Sequence, residues 1–169
     1  MTNITNSTAQ DIPEIFRLYR QATAFQKLKF PKNQWPEFDQ CLISGEVTEG
    51  RQFKLLIEGQ IACIWAISFN DSQIWENDDG QSALYIHRIA TNPDFRGHNF
   101  VRQIVDWARI FGQNKKYIRM DTCGENKKLI QHYCHCGFEF LGMKKLKDPT
   151  GLPEHYHDTE VCYFEIQLN

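Results

Sequence analysis

The chain has 169 residues, 41% of them hydrophobic and 24% charged, which is the composition of a globular fold rather than of a disordered or fibrous chain. Nineteen lysines and arginines against 21 acidic residues leave a formal charge of −2, so no general field draws the chain to nucleic acid or to an anionic membrane surface. No stretch approaches the ~20 apolar residues of a membrane span, and the polar first ten residues lack the basic start and apolar centre of a signal peptide. The sequence is therefore read as one cytoplasmic domain over residues 1–169. Its six cysteines are expected to be reduced thiols in that compartment, and no Cys-x-x-Cys pair occurs.

A short strand is expected over residues 3–6. A helix over 8–25 follows, with Ile12, Ile15, Phe16, Tyr19 and Ala22 at helical spacing and Pro13 tolerable in the first turn. Residues 30–36 break the pattern, and a second short helix is expected to carry Trp35, Phe38 and Leu42. Residues 52–58 and 61–69 read as two strands joined by a tight turn at Gly59-Gln60. A polar loop over 70–81 contains Asp78, Asp79 and Gly80. Another strand spans 83–91, and Asn92-Pro93-Asp94 ends it.

The strongest helical period covers 99–111, where Phe100, Val101, Ile104, Val105, Ala108 and Phe111 form one stripe and Gly112 a stop. A strand over 117–122, a helix over 125–136 closed by Gly137, and a strand over 138–146 come next. The loop over 147–159 precedes a last strand over 161–168, with Cys162, Phe164, Ile166 and Leu168 alternating inward. The order is β-α-α-β-β-β-α-β-α-β-β. It predicts a mixed α/β fold: a twisted, mostly antiparallel sheet of about seven strands, helices on both faces, and a parallel pair at the centre.

Chemistry concentrates in two places. Around Arg96-Gly97-His98-Asn99-Phe100-Val101 a strand ends, a turn follows and a helix opens. Unpaired N–H groups at a helix start, the helix dipole and the charge of Arg96 suit a phosphate, although plain strand–turn–helix connections share most of this pattern. In the second segment Asn126 and Tyr133 stand two helical turns apart and so near one face. A capping Asn and a core Tyr fit the same positions. His132, Cys134, His135 and Cys136 are the nearest approach to a metal cluster. No second ligand pair accompanies them, and no metal is expected.

Taken in order, these segments resemble the GCN5-related N-acetyltransferase (GNAT) family. Its phosphate loop reads Gln or Arg, two residues, Gly, one residue, then Gly or Ala. Here Arg96 matches, Asn99 stands for the first glycine, and Val101 stands for the small residue. Asn is the non-glycine residue most tolerant of positive φ, which keeps the turn available. Asn126 followed by Tyr133 and Gly137-Phe138 matches the family's Asn…Tyr-x-x-x-Gly-Phe helix.

The resemblance implies an acetyltransferase that uses acetyl-CoA, with no metal, no nucleic acid and no membrane, on a small-molecule or peptide amine; homodimers are frequent in such a family. Ile89, Ala90 and Thr91 would hold the pantetheine arm, Gly97, His98, Asn99, Phe100 and Val101 the pyrophosphate, and Asn126 the pantetheine again. Tyr133 would protonate the departing thiolate. His87 is the candidate general base, by its ordinary pKa and its alternation with Ile89 and Thr91, with Glu58 and Asp121 more remote. Trp65, Tyr85 and Asp121 are candidate acceptor residues, and the loop from Leu152 through Glu154, His155, Tyr156 and His157 is rich in side chains of the binding kind. Two other readings stay open. Asn99 and Val101 fit a non-catalytic acyl-CoA or partner-binding module on the same fold, and His132 to Cys136 fit a redox or metal-sensing domain.

Overall fold

The computed structural model describes residues 2–30, 32–76 and 82–168. Seven strands form one sheet in the order β1-β2-β3-β4-β5-β7-β6. They are β1 (Thr2–Asn6), β2 (Gln52–Ile57), β3 (Gln60–Ser68), β4 (Ala83–Thr91), β5 (Tyr117–Cys123), β6 (Glu139–Lys145) and β7 (Glu160–Gln167). The helices are α1 (Ile12–Lys29), α2 (Gln40–Thr48), α3 (Phe100–Phe111) and α4 (Lys127–His135). Among the described residues no helix is long and apolar enough to cross a membrane. Asp78, Asp79 and Gly80 of the expected polar loop lie outside the described residues. The chain divides into two compact units, Met1–Ile67 with His87–Phe100 and Ser68–Ile86 with Val101–Asn169.

In the first unit β1 pairs antiparallel with β2, and β2 with β3. The turn between β2 and β3 is Glu58-Gly59, one residue earlier than expected, because both residues have positive φ (50° and 79°) as a two-residue hairpin of the primed type needs. Glu58 is thereby an exposed turn residue. Helix α1 follows a 3₁₀ turn and continues four residues beyond its expected end. Its buried side is Ile15, Leu18 and Tyr19, which pack with Phe38, Ile43, Ile64 and Ala90. The second helix starts later than expected. The Asp39 carboxylate caps it, accepting from the N–H groups of Cys41 (2.7 Å) and Leu42 (3.2 Å). Trp35 and Phe38 therefore pack against Tyr19 from the non-helical segment before α2, while Leu42 lies exposed on the helix.

In the second unit β4 runs parallel to β5 over three pairs only, Ala83↔Tyr117 to Tyr85↔Arg119. Beyond them β5 pairs antiparallel with β7, and β7 with β6. Val161 and Tyr163 are buried along with Cys162 and Phe164, so β7 is covered on both faces and not on the single face that alternation suggested. One face meets Ile74, Trp75, Ala83 and Tyr85. On the other, Phe164 packs edge-on against Tyr133 and Phe138. Helix α3 buries Ile104, Val105 and Ala108, but Phe111 at its end is exposed. Gly112 ends it with its N–H on the carbonyl of Ala108 (2.8 Å), and a Cβ there would sit 2.9 Å from that same carbonyl. Gly137 closes α4 at φ 108°: its N–H bonds the Cys134 carbonyl and that of Phe138 the Tyr133 carbonyl, the pattern of a left-handed helix cap.

Candidate functional site

The first unit holds the second half of β4 and the phosphate-loop candidate. Arg88 has φ +52°, so the strand bends in the middle and simple alternation fails there. His87, Ile89 and Thr91 do not follow one another on one face as expected. Ala90 enters the core, and Ile89 and Thr91 are half-buried. Burial, helped by the charges of Arg88 and Arg51, pushes His87 down to about 3. It is neutral at every ordinary pH and a weak proton acceptor.

Asn92 then ties the strand end down. Its N–H bonds the Ala62 carbonyl (2.9 Å), its Nδ2 donates to the Ile61 carbonyl (3.0 Å), and its Oδ1 accepts from the Asp94 N–H (3.2 Å). A 3₁₀ turn at Pro93–Phe95 leads into extended Arg96. Gly97 (φ +89°) and Asn99 (φ +51°) are left-handed, and α3 opens at Phe100. The asparagine at the family's glycine position thus keeps the backbone a glycine would supply. Amides at a helix start generally lack a partner one turn back within the helix. The Arg96 guanidinium lies 5.1 Å over the Phe25 ring, and His98 stacks on Phe100 with ring planes 8° apart. Trp65, a candidate acceptor residue, is 0% exposed and stacked on Phe53, which makes it a core residue.

The second unit carries Val101 and the second segment. Val101 is buried. Asn126 caps α4, its Oδ1 accepting from the Leu129 N–H (3.2 Å), which leaves its Nδ2 outside that bond. The Tyr133 ring is 8% exposed and packed on Phe138 and Phe164. Cys136 is buried with its thiol pushed up, whereas Cys134 is exposed, and the four residues of the possible metal cluster do not converge as ligands. Tyr85 is buried as well; its hydroxyl accepts from Arg119 Nη1 (3.3 Å).

Asp121 is half-buried on β5 and accepts a hydrogen bond from the Tyr156 hydroxyl (2.8 Å). Burial lifts its carboxyl to about 6, against the lowering effect of that bond. Asp71 brings a carboxylate oxygen within 4.8 Å of it. Tyr156 comes from the loop that the sequence marks as rich in binding side chains. No sequence signal singled out Asp71, whose neighbourhood is made by the fold.

No family model matches the chain. It is 26% identical over 106 residues to the uncharacterized N-acetyltransferase YesJ of Bacillus subtilis, a match covering 59% of each protein. This chain therefore spans less than two thirds of that relative. Its fold matches a GNAT-family acetyltransferase from Listeria monocytogenes with TM-score 0.77 and 22% identity, over 99% of this chain and 95% of that one. It also matches yncA from Salmonella typhimurium, whose structure holds its cofactor acetyl-CoA, with TM-score 0.68 and 12% identity, over 100% and 95% of the two chains. The mixed seven-stranded sheet with its parallel β4–β5 pair and these matches bear out the resemblance read from the sequence: the chain is a protein of the GNAT acetyltransferase fold.

Proposed function

We propose that this chain is an N-acetyltransferase that moves the acetyl group of acetyl-CoA to a primary amine of a small molecule or peptide by direct attack on the thioester. The observation that carries the reading is the turn before α3. Gly97 and Asn99 hold the left-handed backbone there although one of the family's glycines is gone. The presence of acetyl-CoA in the yncA structure supports the choice of donor.

The main chain of Ile89, Ala90 and Thr91 holds the pantetheine arm. The amides of Gly97, His98, Asn99, Phe100 and Val101 receive the diphosphate, with Arg96 beside them. Asn126 offers Nδ2 to the pantetheine. Tyr133 protonates the CoA thiolate, because a phenol of pKa ~10 keeps its proton at neutral pH and a thiol of pKa ~8.5 leaves better as the neutral form. Asp121, its carboxyl lifted to about 6 by burial, takes the proton of the incoming ammonium in preference to His87.

Acetyl-CoA should raise the melting temperature, and release of free CoA thiol on adding amines should identify the acceptor. If acetyl-CoA gives no thermal shift, the reading fails. The buried ring of Tyr133 favours a second reading, an acyl-CoA-binding module without turnover. That reading predicts the shift with no thiol release across a broad amine panel.

A further inference from the structure

We propose that Arg88 is a positioning residue: clamped by Glu46 and flanked by Tyr19 and Phe38, its side chain locks the bend in β4 and so fixes the main-chain edge of Ile89, Ala90 and Thr91. The backbone of Arg88 sits at φ +52° in the middle of a strand, a conformation that a residue with a Cβ avoids unless its surroundings hold it there. The surroundings here do so from three elements of one unit. Arg88 Nη2 donates to both carboxylate oxygens of Glu46 on α2, to Oε2 at 2.5 Å. Glu46 is 5% exposed, and Arg51 Nη1 approaches it to 3.8 Å. The guanidinium lies 5.3 Å over the Phe38 ring and 5.9 Å from that of Tyr19 on α1, and Tyr19 in turn bonds Gln52 on β2 (3.2 Å). Burial disfavours the charged guanidinium, and Tyr19 and Glu46 more than offset this.

A buried charge pair could be replaced by apolar side chains at little loss of stability, so its presence calls for another role. A glycine would also take this φ without strain. The chain instead places at the bend a side chain tied to Glu46. The residues that follow, through the doubly bonded Asn92, are the stretch to which the acetyl-CoA reading gives the pantetheine arm, and the binding part of the inference rests on that reading.

The test is the pair Glu46→Gln with Arg88→Gly. It keeps the backbone conformation accessible, removes the clamp, and leaves no carboxylate buried without its arginine. Two readouts are needed. Hydrogen exchange at the amides of Ile89, Ala90, Thr91 and Asn92 is independent of any ligand, and the Kd for acetyl-CoA by calorimetry is not. If the clamped conformer falls to about a tenth of the molecules, exchange there should quicken by about tenfold or more with β1 and β2 unchanged, and Kd should rise about tenfold. Exchange and Kd both within about twofold of wild type would overturn the proposal. Faster exchange with an unchanged Kd would overturn the positioning role. Faster exchange in a protein whose wild type binds no acetyl-CoA supports the clamp and removes the cofactor reading instead. Should the double variant not fold, Arg88→Lys, which keeps the charge but loses the planar stack over Phe38, is measured in the same way with the same expected direction.

Discussion

Asp121→Asn should stabilise the folded protein at pH 8 and abolish that gain at pH 4. The carboxyl moves from the model-peptide range to about 6 in the fold because burial penalises its charge. A shift of roughly two units corresponds to about 3 kcal/mol at pH values above both, and screening at the half-exposed edge of the side chain leaves about 1–3 kcal/mol. The sign follows from proton counting. Between about pH 4 and 6 the folded state binds more protons at this site than the unfolded chain, so wild type loses stability as pH rises through that window. Asparagine accepts the same Tyr156 hydrogen bond without the buried charge. The melting temperature of the variant should exceed that of wild type by roughly 3–10 °C at pH 8, and the two should converge by pH 4. His87, held near 3, works in the opposite direction over much of the same range, since an imidazole buried neutral favours unfolding in acid. Calorimetric scans of variant and wild type across pH 4–8 read the difference. A variant less stable than wild type at pH 8, or a difference that does not change with pH, would refute the burial argument.

Three further outcomes are expected. Tyr133→Phe should slow acetyl transfer by about a hundredfold or more at saturating acetyl-CoA, the ordinary worth of a general acid, while leaving the acetyl-CoA thermal shift in place; full turnover in a chemistry-limited assay would remove the role. Asn99→Gly should be nearly neutral to folding and to acetyl-CoA affinity, whereas Asn99→Val, forced to φ +51°, should cost about 1–2 kcal/mol by chemical denaturation and weaken binding with it. Glu165→Ala should cost about 1–3 kcal/mol, because it strips the 2.7 Å partner from Arg119, whose guanidinium is held between the rings of Trp75 (4.6 Å) and Tyr117 (4.8 Å). A loss in Glu165→Ala below the error of the denaturation curve would count against that pairing.

What could be read from the sequence was local. Helices α3 and α4 are bounded by Gly112, Asn126 and Gly137, residues whose own conformational preferences set the ends, and the left-handed turn at Asn99 followed from the same reasoning. The start of α2 was misread because Trp35, Phe38 and Leu42 have helical spacing, yet Asp39 between them captures the first amides and begins the helix after Phe38. Alternation failed where covering elements decide burial. Tyr163 faces Trp75 and Ile74, neither of which is near it in sequence. The bend at Arg88 was illegible for a related reason. Nothing in the run Ile86-His87-Arg88-Ile89 asks for positive φ, and the partner that holds it, Glu46, is 42 residues away. Trp65 and Tyr85 looked like acceptor-lining aromatics by residue type, and packing made both of them core. Asp121 was singled out for its charge, but its displaced titration depends on a burial that only the fold creates.

The choice of proton acceptor shows how far such environment effects reach. By residue type the base should be His87, whose ordinary pKa lies near neutrality, and Asp121 should be too acidic. The fold inverts the order, with the imidazole at about 3 and the carboxyl at about 6. Moving a proton from a primary ammonium of pKa ~10.4 to the carboxylate is uphill by roughly four units, about 6 kcal/mol; moving it to the imidazole is uphill by roughly seven, about 10 kcal/mol. The transfer is less uphill to the carboxylate, and this favours Asp121 as the acceptor. The pH–rate profile for acetyl transfer should therefore have an acid limb near 6 that persists in His87→Gln and disappears in Asp121→Asn. A limb that instead vanished in His87→Gln would mean that the imidazole titrates in the working enzyme, and the burial that removes its proton here would have to be relieved when substrates bind.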